Sequence, residues 1–137
     1  MDDPAALPPR SPQAFANSGA ARLLGMRLVT RDAEHAVVEM RPGPEHLQEQ
    51  GIVQGGLLST LADAAAVRLV YPDLPEGTEA AGVGFEVQFL RPGLVDGGVL
   101  SAVARPLHLG RSLRRVVVRV HQDERELLRG TFTYLVR

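Results

Sequence analysis

The chain holds 137 residues, 45% hydrophobic and 23% charged, an ordinary globular balance that excludes a disordered polymer. Fifteen basic and sixteen acidic residues give a formal net charge of -1, without the positive excess of a nucleic-acid binder. Cysteine and lysine do not occur, which excludes disulfides, thiol catalysis, Cys-based metal sites and Schiff-base or P-loop lysine chemistry.

The length fits one domain and hides roughly two thirds of the unfolded surface without a staple. No apolar run approaches the ~20 residues a bilayer requires, so no membrane partner is expected. The opening MDDPAALPPR is acidic and Pro-rich, unlike a basic-then-apolar signal peptide, and a cytoplasmic location is expected.

Residues 1–17, with Pro4, Pro8, Pro9 and Pro12, read as a flexible or extended leader, and 18–137 as a single domain. A short helix is expected near Ala20 to Leu24, ending at Gly25. Two strands follow, Met26 to Thr30 and His35 to Met40, with Asp32 in the turn and Pro42-Gly43-Pro44 closing the second. Gly55 to Tyr71 is the clearest helix. Leu57, Leu61 and Ala65 share a stripe, Leu58, Ala62 and Leu69 adjoin it, and Pro72 and Pro75 stop it. Its alanines favour helix and keep it thin enough for close approach to a sheet. Strands are then expected at Val83 to Leu90, Gly98 to Pro106, Ser112 to His121 and Leu127 to Val136. The order β-β-α-β-β-β-β gives an α+β class, an antiparallel sheet covered on one face by one long helix.

The helix start carries chemistry. Gly55 and Gly56 stand where backbone N–H groups lack intrahelical partners and the helix dipole is positive. Such a start holds an anion, or a carbonyl oxygen becoming one; alternatively the glycines only shape a tight loop. Asp63 follows eight residues after Gly55, among Leu61, Ala62, Ala64, Ala65 and Ala66. It reads either as a buried carboxylate suited to base or nucleophile work, or as a residue on the solvent edge or paired with Arg68. His35, His46, His108 and His121 have no metal-ligand spacing, and no metal is expected. Ser59 and Ser112 lack the context of a serine hydrolase. From Arg105 to Arg119 the arginines 105, 111, 114, 115 and 119 occur without an acid. Alternation puts Arg115 and Arg119 on one face and Arg114 with Val116, Val118 and Val120 on the other.

The string Gly51-x-x-Gln54-Gly55-Gly56-x-x-x-x-Leu61-Ala62-Asp63-Ala64-Ala65 resembles the G-x-x-H-G-G-x-x-x-x-L-A-D/E signature of hotdog-fold acyl-CoA thioesterases, the PaaI-like group. Three further stretches resemble that family in order: Val87-Gln88-Phe89-Leu90-Arg91-Pro92, then His108-Leu109-Gly110-Arg111-Ser112, then Gly130-Thr131-Phe132-Thr133-Tyr134. The resemblance covers most of the chain. It implies a hotdog fold, a sheet wrapped around a central helix.

It further implies hydrolysis of an acyl-CoA thioester, with coenzyme A part of the substrate and no other cofactor. By this resemblance the Gly55 N–H polarises the thioester carbonyl. Asp63, contributed across a dimer interface, activates water or attacks the carbonyl. Gln48 positions substrate or water, and Gln54 stands where the family has His, able to donate a hydrogen bond but not to titrate. Gly56, His46, Gly84, Phe85, Arg91, Gly110, Arg111 and Ser112 are the expected contacts to substrate or coenzyme. Val53, Leu57, Val83 and Phe89 join Phe85 as candidate pocket walls. Some members place Ser or Thr on the strand facing the acid, where this chain has Gly82-Val83-Gly84. A homodimer or homotetramer is expected. The competing expectation, motivated by Gln54 and Gly84, is a hotdog protein that binds acyl-CoA or a small ligand without turnover.

Overall fold

The computed structural model describes residues 11–137; the first ten, part of the predicted leader, lie outside the described residues. The rest of that leader is not an extended arm. Pro12–Asn17 forms a helix, α1, because Pro12 sits at its first position, where proline's missing N–H costs nothing. The Ser11 side chain caps it, accepting from Ala14 N–H at 3.0 Å, and Phe15 is buried. A second short helix, α2 (Gly19–Leu24), ends at Gly25, whose φ of 74° needs a residue that tolerates the left-handed region.

The strands are β1 (Met26–Arg31), β2 (Ala36–Met40), β3 (Ala80–Phe89), β4 (Leu100–Leu109), β5 (Leu113–Gln122) and β6 (Arg125–Val136), and α3 (Gly55–Val70) lies between β2 and β3. The predicted element order therefore holds. Boundaries move where local chemistry intervenes. His35 leaves β2 because the Asp32 carboxylate accepts its N–H, and that of Glu34, in the turn. β4 starts at Leu100 because Gly98 turns at φ 98°, and it runs past Pro106 because a register shift there absorbs the proline.

All pairings are antiparallel, in the order β1-β2-β4-β5-β6-β3. Alternate residues of the central strands turn inward: Ala36 and Val38 of β2, Ala102 and Ala104 of β4, Val116, Val118 and Val120 of β5, and Phe132 of β6. They meet Leu58, Leu61, Ala62, Ala65, Ala66 and Leu69 of α3, all at most 2% exposed. The small alanines on both sides let the helix lie close to the sheet. At its far end Arg31 donates to the carbonyls of Arg68 and Leu69 at 3.1 and 3.0 Å and pairs with Asp73 at 2.8 Å, satisfying the helix C-terminus.

β3 differs from the other long strands. It pairs only with β6, and its Val83, Phe85 and Phe89 side chains are more than half exposed. A flat apolar edge of this kind is a template for another strand. The close fit of β3 to β6 depends on Gly130, where a Cβ would collide with the Glu86 carbonyl and with the Val87 side chain at 2.5 Å.

Candidate active site

The N-terminus of α3 is reached through a tight loop. Leu47 and Val53 form an isolated bridge, Gln48 N–H donates to the Ile52 carbonyl, and Gly51 turns the chain at φ 81°. Gln54 is the N-cap residue, and no side chain caps the helix. Gln54 N–H donates to the His46 carbonyl and Leu57 N–H to the Gln54 carbonyl. Gly55 N–H is left without an acceptor among the described residues. A side chain at Gly55 would press on the Phe89 ring, 3.3 Å from the added Cβ. Gly55 borders a cavity of ≈ 340 Å³ together with Gln48, Leu58, Phe89 and Arg91.

Asp63 lies two helical turns on. The helical period sends Ala62, Ala65 and Ala66 to the sheet and turns Asp63 outward, so it is exposed in the single chain rather than buried among its apolar neighbours. It does not pair with Arg68, which is buried against the rings of Phe15 and Tyr71 at 5.1 and 5.9 Å. Instead Asp63 Oδ1 accepts a 2.7 Å hydrogen bond from the Tyr134 hydroxyl. Burial first, and the Asp63 carboxylate next, push the Tyr134 phenol well above its usual range, so it remains a donor. Asp63 and Tyr134 border a second cavity of ≈ 340 Å³ walled by Gly82, Val83, Gly84 and Phe85 of β3 and by Phe132 and Thr133.

The predicted site residues therefore fall into two groups in one chain. Gly55, Gln48 and Arg91 share one cavity, and Asp63, Gly84 and Phe85 share the other. Eight residues of helix separate Gly55 from Asp63 by about 12 Å, too far for both to touch one carbonyl. The Gln48 side chain folds back onto Gln50, and Arg91 donates to the Glu126 carbonyl at 2.9 Å.

Other predicted contacts lie elsewhere. Gly56 and the Gln54 side chain are exposed and border neither cavity. His46 is 4% exposed and borders neither cavity, and its Nδ1 accepts from Gly43 N–H at 2.9 Å, which ties the loop together. Gly110, Arg111 and Ser112 form the β4–β5 turn, with Arg111 and Ser112 exposed. Arg114 points inward and donates to the Gly110 carbonyl at 3.2 Å. Arg119 lies 3.9 Å from Glu126, whose carboxyl Arg129 holds below the usual range. Among the described residues no cluster of three or more His, Cys, Asp or Glu is arranged to hold a metal ion. No helix among them is long and apolar enough to cross a membrane.

Residues 50–128 match the family model of the thioesterase superfamily. This chain belongs to the thioesterase superfamily. It is 33% identical over 106 residues to ComA2 of Bacillus subtilis (strain 168), provisionally named an esterase, an alignment spanning 77% of this chain and 82% of that protein. It is 32% identical over 97 residues to the acyl-coenzyme A thioesterase PaaI of Escherichia coli (strain K12), spanning 71% of this chain and 66% of that protein. The solved structure of the E. coli PaaI protein superposes with a TM-score of 0.78 at 26% identity, covering 90% of this chain and 87% of that one. The fold is the hotdog α+β fold, and the chain is a PaaI-like thioesterase, a thioester hydrolase. Sequence reasoning missed Tyr134 as a partner of Asp63. The quoted Gly130-to-Tyr134 stretch contained it, but nothing in that stretch signals the contact.

Proposed function

We propose that this thioesterase hydrolyses an acyl-CoA thioester to the free acid and coenzyme A at a site built by two chains. The observation that carries this reading is the separation of the two halves. An uncapped Gly55 N–H borders one cavity and the Asp63 carboxylate borders the other. β3 runs between them. Its Gly82 to Phe85 end walls the Asp63 cavity, and its Phe89 end walls the Gly55 cavity. A second β3 pairing antiparallel about a two-fold axis near Glu86 reverses this order. It sets the Phe89 end of one chain against the Gly82 end of the other, so each Gly55 meets the opposite Asp63. The same pairing covers Val83, Phe85 and Phe89, otherwise an exposed apolar strip.

In this arrangement the thioester oxygen accepts from Gly55 N–H as negative charge develops on it. Asp63 takes a proton from water as the water attacks, or attacks the carbonyl itself. The tetrahedral intermediate collapses by breaking the carbon–sulfur bond, and the coenzyme leaves as a thiolate that is then protonated; after direct attack, water hydrolyses the resulting acyl-Asp63 anhydride to the free acid and restores the carboxylate. Gln48, at the rim of the Gly55 cavity, is assigned to orienting the substrate once it turns from Gln50, and Gln54, exposed beside Gly55, to donating to it. Arg111 and Ser112, exposed in the β4–β5 turn, are assigned to the coenzyme.

Asp63→Asn tests the carboxylate. It loses acyl-CoA turnover with little change in melting temperature, since the residue lies outside the core. Unchanged kcat contradicts the reading. A single turnover in ¹⁸O-water identifies an acyl-Asp63 intermediate when label enters the protein. Direct attack by water labels the product acid, whereas an acyl-Asp63 intermediate resolved at the aspartyl carbon moves the label into the protein. The substitution of Gln54 for the family's His motivates the second reading, acyl-CoA binding without turnover. Wild-type protein that binds short, long and aromatic acyl-CoAs and hydrolyses none supports it.

A further inference from the structure

We propose that Tyr134 is a positioning residue for the Asp63 carboxylate, supplying from β6 the hydroxyl that the β3 stretch Gly82-Val83-Gly84 lacks. The inference rests on the role assigned to Asp63 above and deepens it.

Tyr134 is 2% exposed, and its ring is part of the core. It stands on a strand paired on both sides, opposite Gly82 of β3 and Arg114 of β5. Its hydroxyl therefore reaches the helix from a rigid base, and meets Asp63 Oδ1 at 2.7 Å. Among the described residues no other side chain hydrogen-bonds Asp63. One carboxylate oxygen is thus held, and Oδ2 is left for water or substrate. An exposed aspartate on a helix otherwise samples several rotamers, and only some of them aim an oxygen at the cavity. A donor that fixes one oxygen removes that freedom before the substrate arrives.

The neighbouring residues fit this role. A Cβ at Gly82 would lie in van der Waals contact with the Tyr134 ring, 3.5 Å from its Cε1, so the ring is packed against β3 beside Asp63. Phe85 and Phe132 stack beside it with ring centroids 5.0 Å apart, walling the same cavity with apolar surface.

Tyr134→Phe keeps the ring and deletes the donor. Water replaces the lost contact on the exposed carboxylate, so the fold is retained. The expected result is a fall in kcat of about 10- to 100-fold, the span for a hydrogen bond to a charged group, with KM changed by less than about twofold. A purely structural tyrosine predicts no such split. A second readout needs no Tyr134 variant. The protein has two tyrosines and no tryptophan, so the long-wavelength edge of its near-ultraviolet absorption, beyond the bands of its four phenylalanines, reports the phenols. A phenol donating to a carboxylate absorbs at longer wavelength than one donating to an amide. Asp63→Asn therefore shifts the tyrosine band to shorter wavelength in the folded protein. Wild-type kcat in Tyr134→Phe, with Asp63→Asn inactive, overturns the inference alone, as does an unshifted band in Asp63→Asn. Full turnover in Asp63→Asn overturns the role of Asp63 and the role of Tyr134 with it.

Discussion

The oxyanion donor proposed for this site is a single N–H, and the helix start allows it to be deleted without breaking the helix. Gly55 is the first residue of α3, a position where proline is tolerated because no intrahelical bond is lost. Gln54 before it has ψ 125°, already the conformation a following proline requires. Gly55→Pro therefore removes the donor and keeps the helix, while the added Cβ, 3.3 Å from the Phe89 ring, makes that ring shift. The expected loss in kcat is about 10²- to 10³-fold, the usual cost of one oxyanion donor, and Gly55→Ala, which adds the same Cβ but keeps the N–H, is the control for the shift of Phe89. At this scale the family resemblance of their flanking motifs singled out Gly55 and Asp63 as candidates, where spacing alone left alternatives open. The sequence could not make Tyr134 legible, because that contact joins positions 71 residues apart and alternation tells only which face a strand residue takes. The burial of His46 was not legible either: its place near the glycines suggested substrate contact, and its ring accepts from Gly43 N–H within the loop.

Among the elements, the loop between β3 and β4 is held by one buried side chain. Gln122 at the end of β5 is 1% exposed. Its Oε1 accepts from Leu94 N–H at 2.9 Å, and its Nε2 donates to the carbonyls of Leu94 and Gly98 at 2.6 and 2.9 Å. Gly97 makes the fit possible, since a Cβ there would lie 2.7 Å from the amide. The same loop begins at Arg91 and Gly93, which wall the Gly55 cavity, and the Gly93 carbonyl accepts from Val53 N–H at 2.9 Å. Gln122→Leu leaves those backbone groups unpaired. It is expected to cost about 2–3 kcal/mol, read from the shift of a urea denaturation midpoint at unchanged slope. A loss below about 0.5 kcal/mol contradicts the pinning, since surface substitutions stay within that range. The strands and the long helix were legible because hydrophobic period and proline stops are local signals. The α1 helix was not, because four prolines suggested an extended leader while Pro12 occupies the one helical position where proline fits.

For the whole molecule, the decisive feature is that one cavity holding Gly55 and another holding Asp63 lie at opposite ends of the exposed strand β3. The apolar excess of the second half of the sequence suggested an oligomer, and the exposed Val83, Phe85 and Phe89 locate that excess on β3. No single-chain pattern could reveal that the two cavities are separate, because the distance from Gly55 to Asp63 matters only once the helix is placed on the sheet. The central claim is that one carbonyl is served by Gly55 of one chain and Asp63 of the other. Subunit complementation tests it most directly. Asp63→Asn and Gly55→Pro chains, each inactive alone, are unfolded together, refolded in equal amounts and assayed. Half the dimers are mixed, and each mixed dimer holds one site with both groups intact, so about a quarter of the wild-type rate returns. A mixture that forms mixed dimers and stays as inactive as its parents contradicts the shared site.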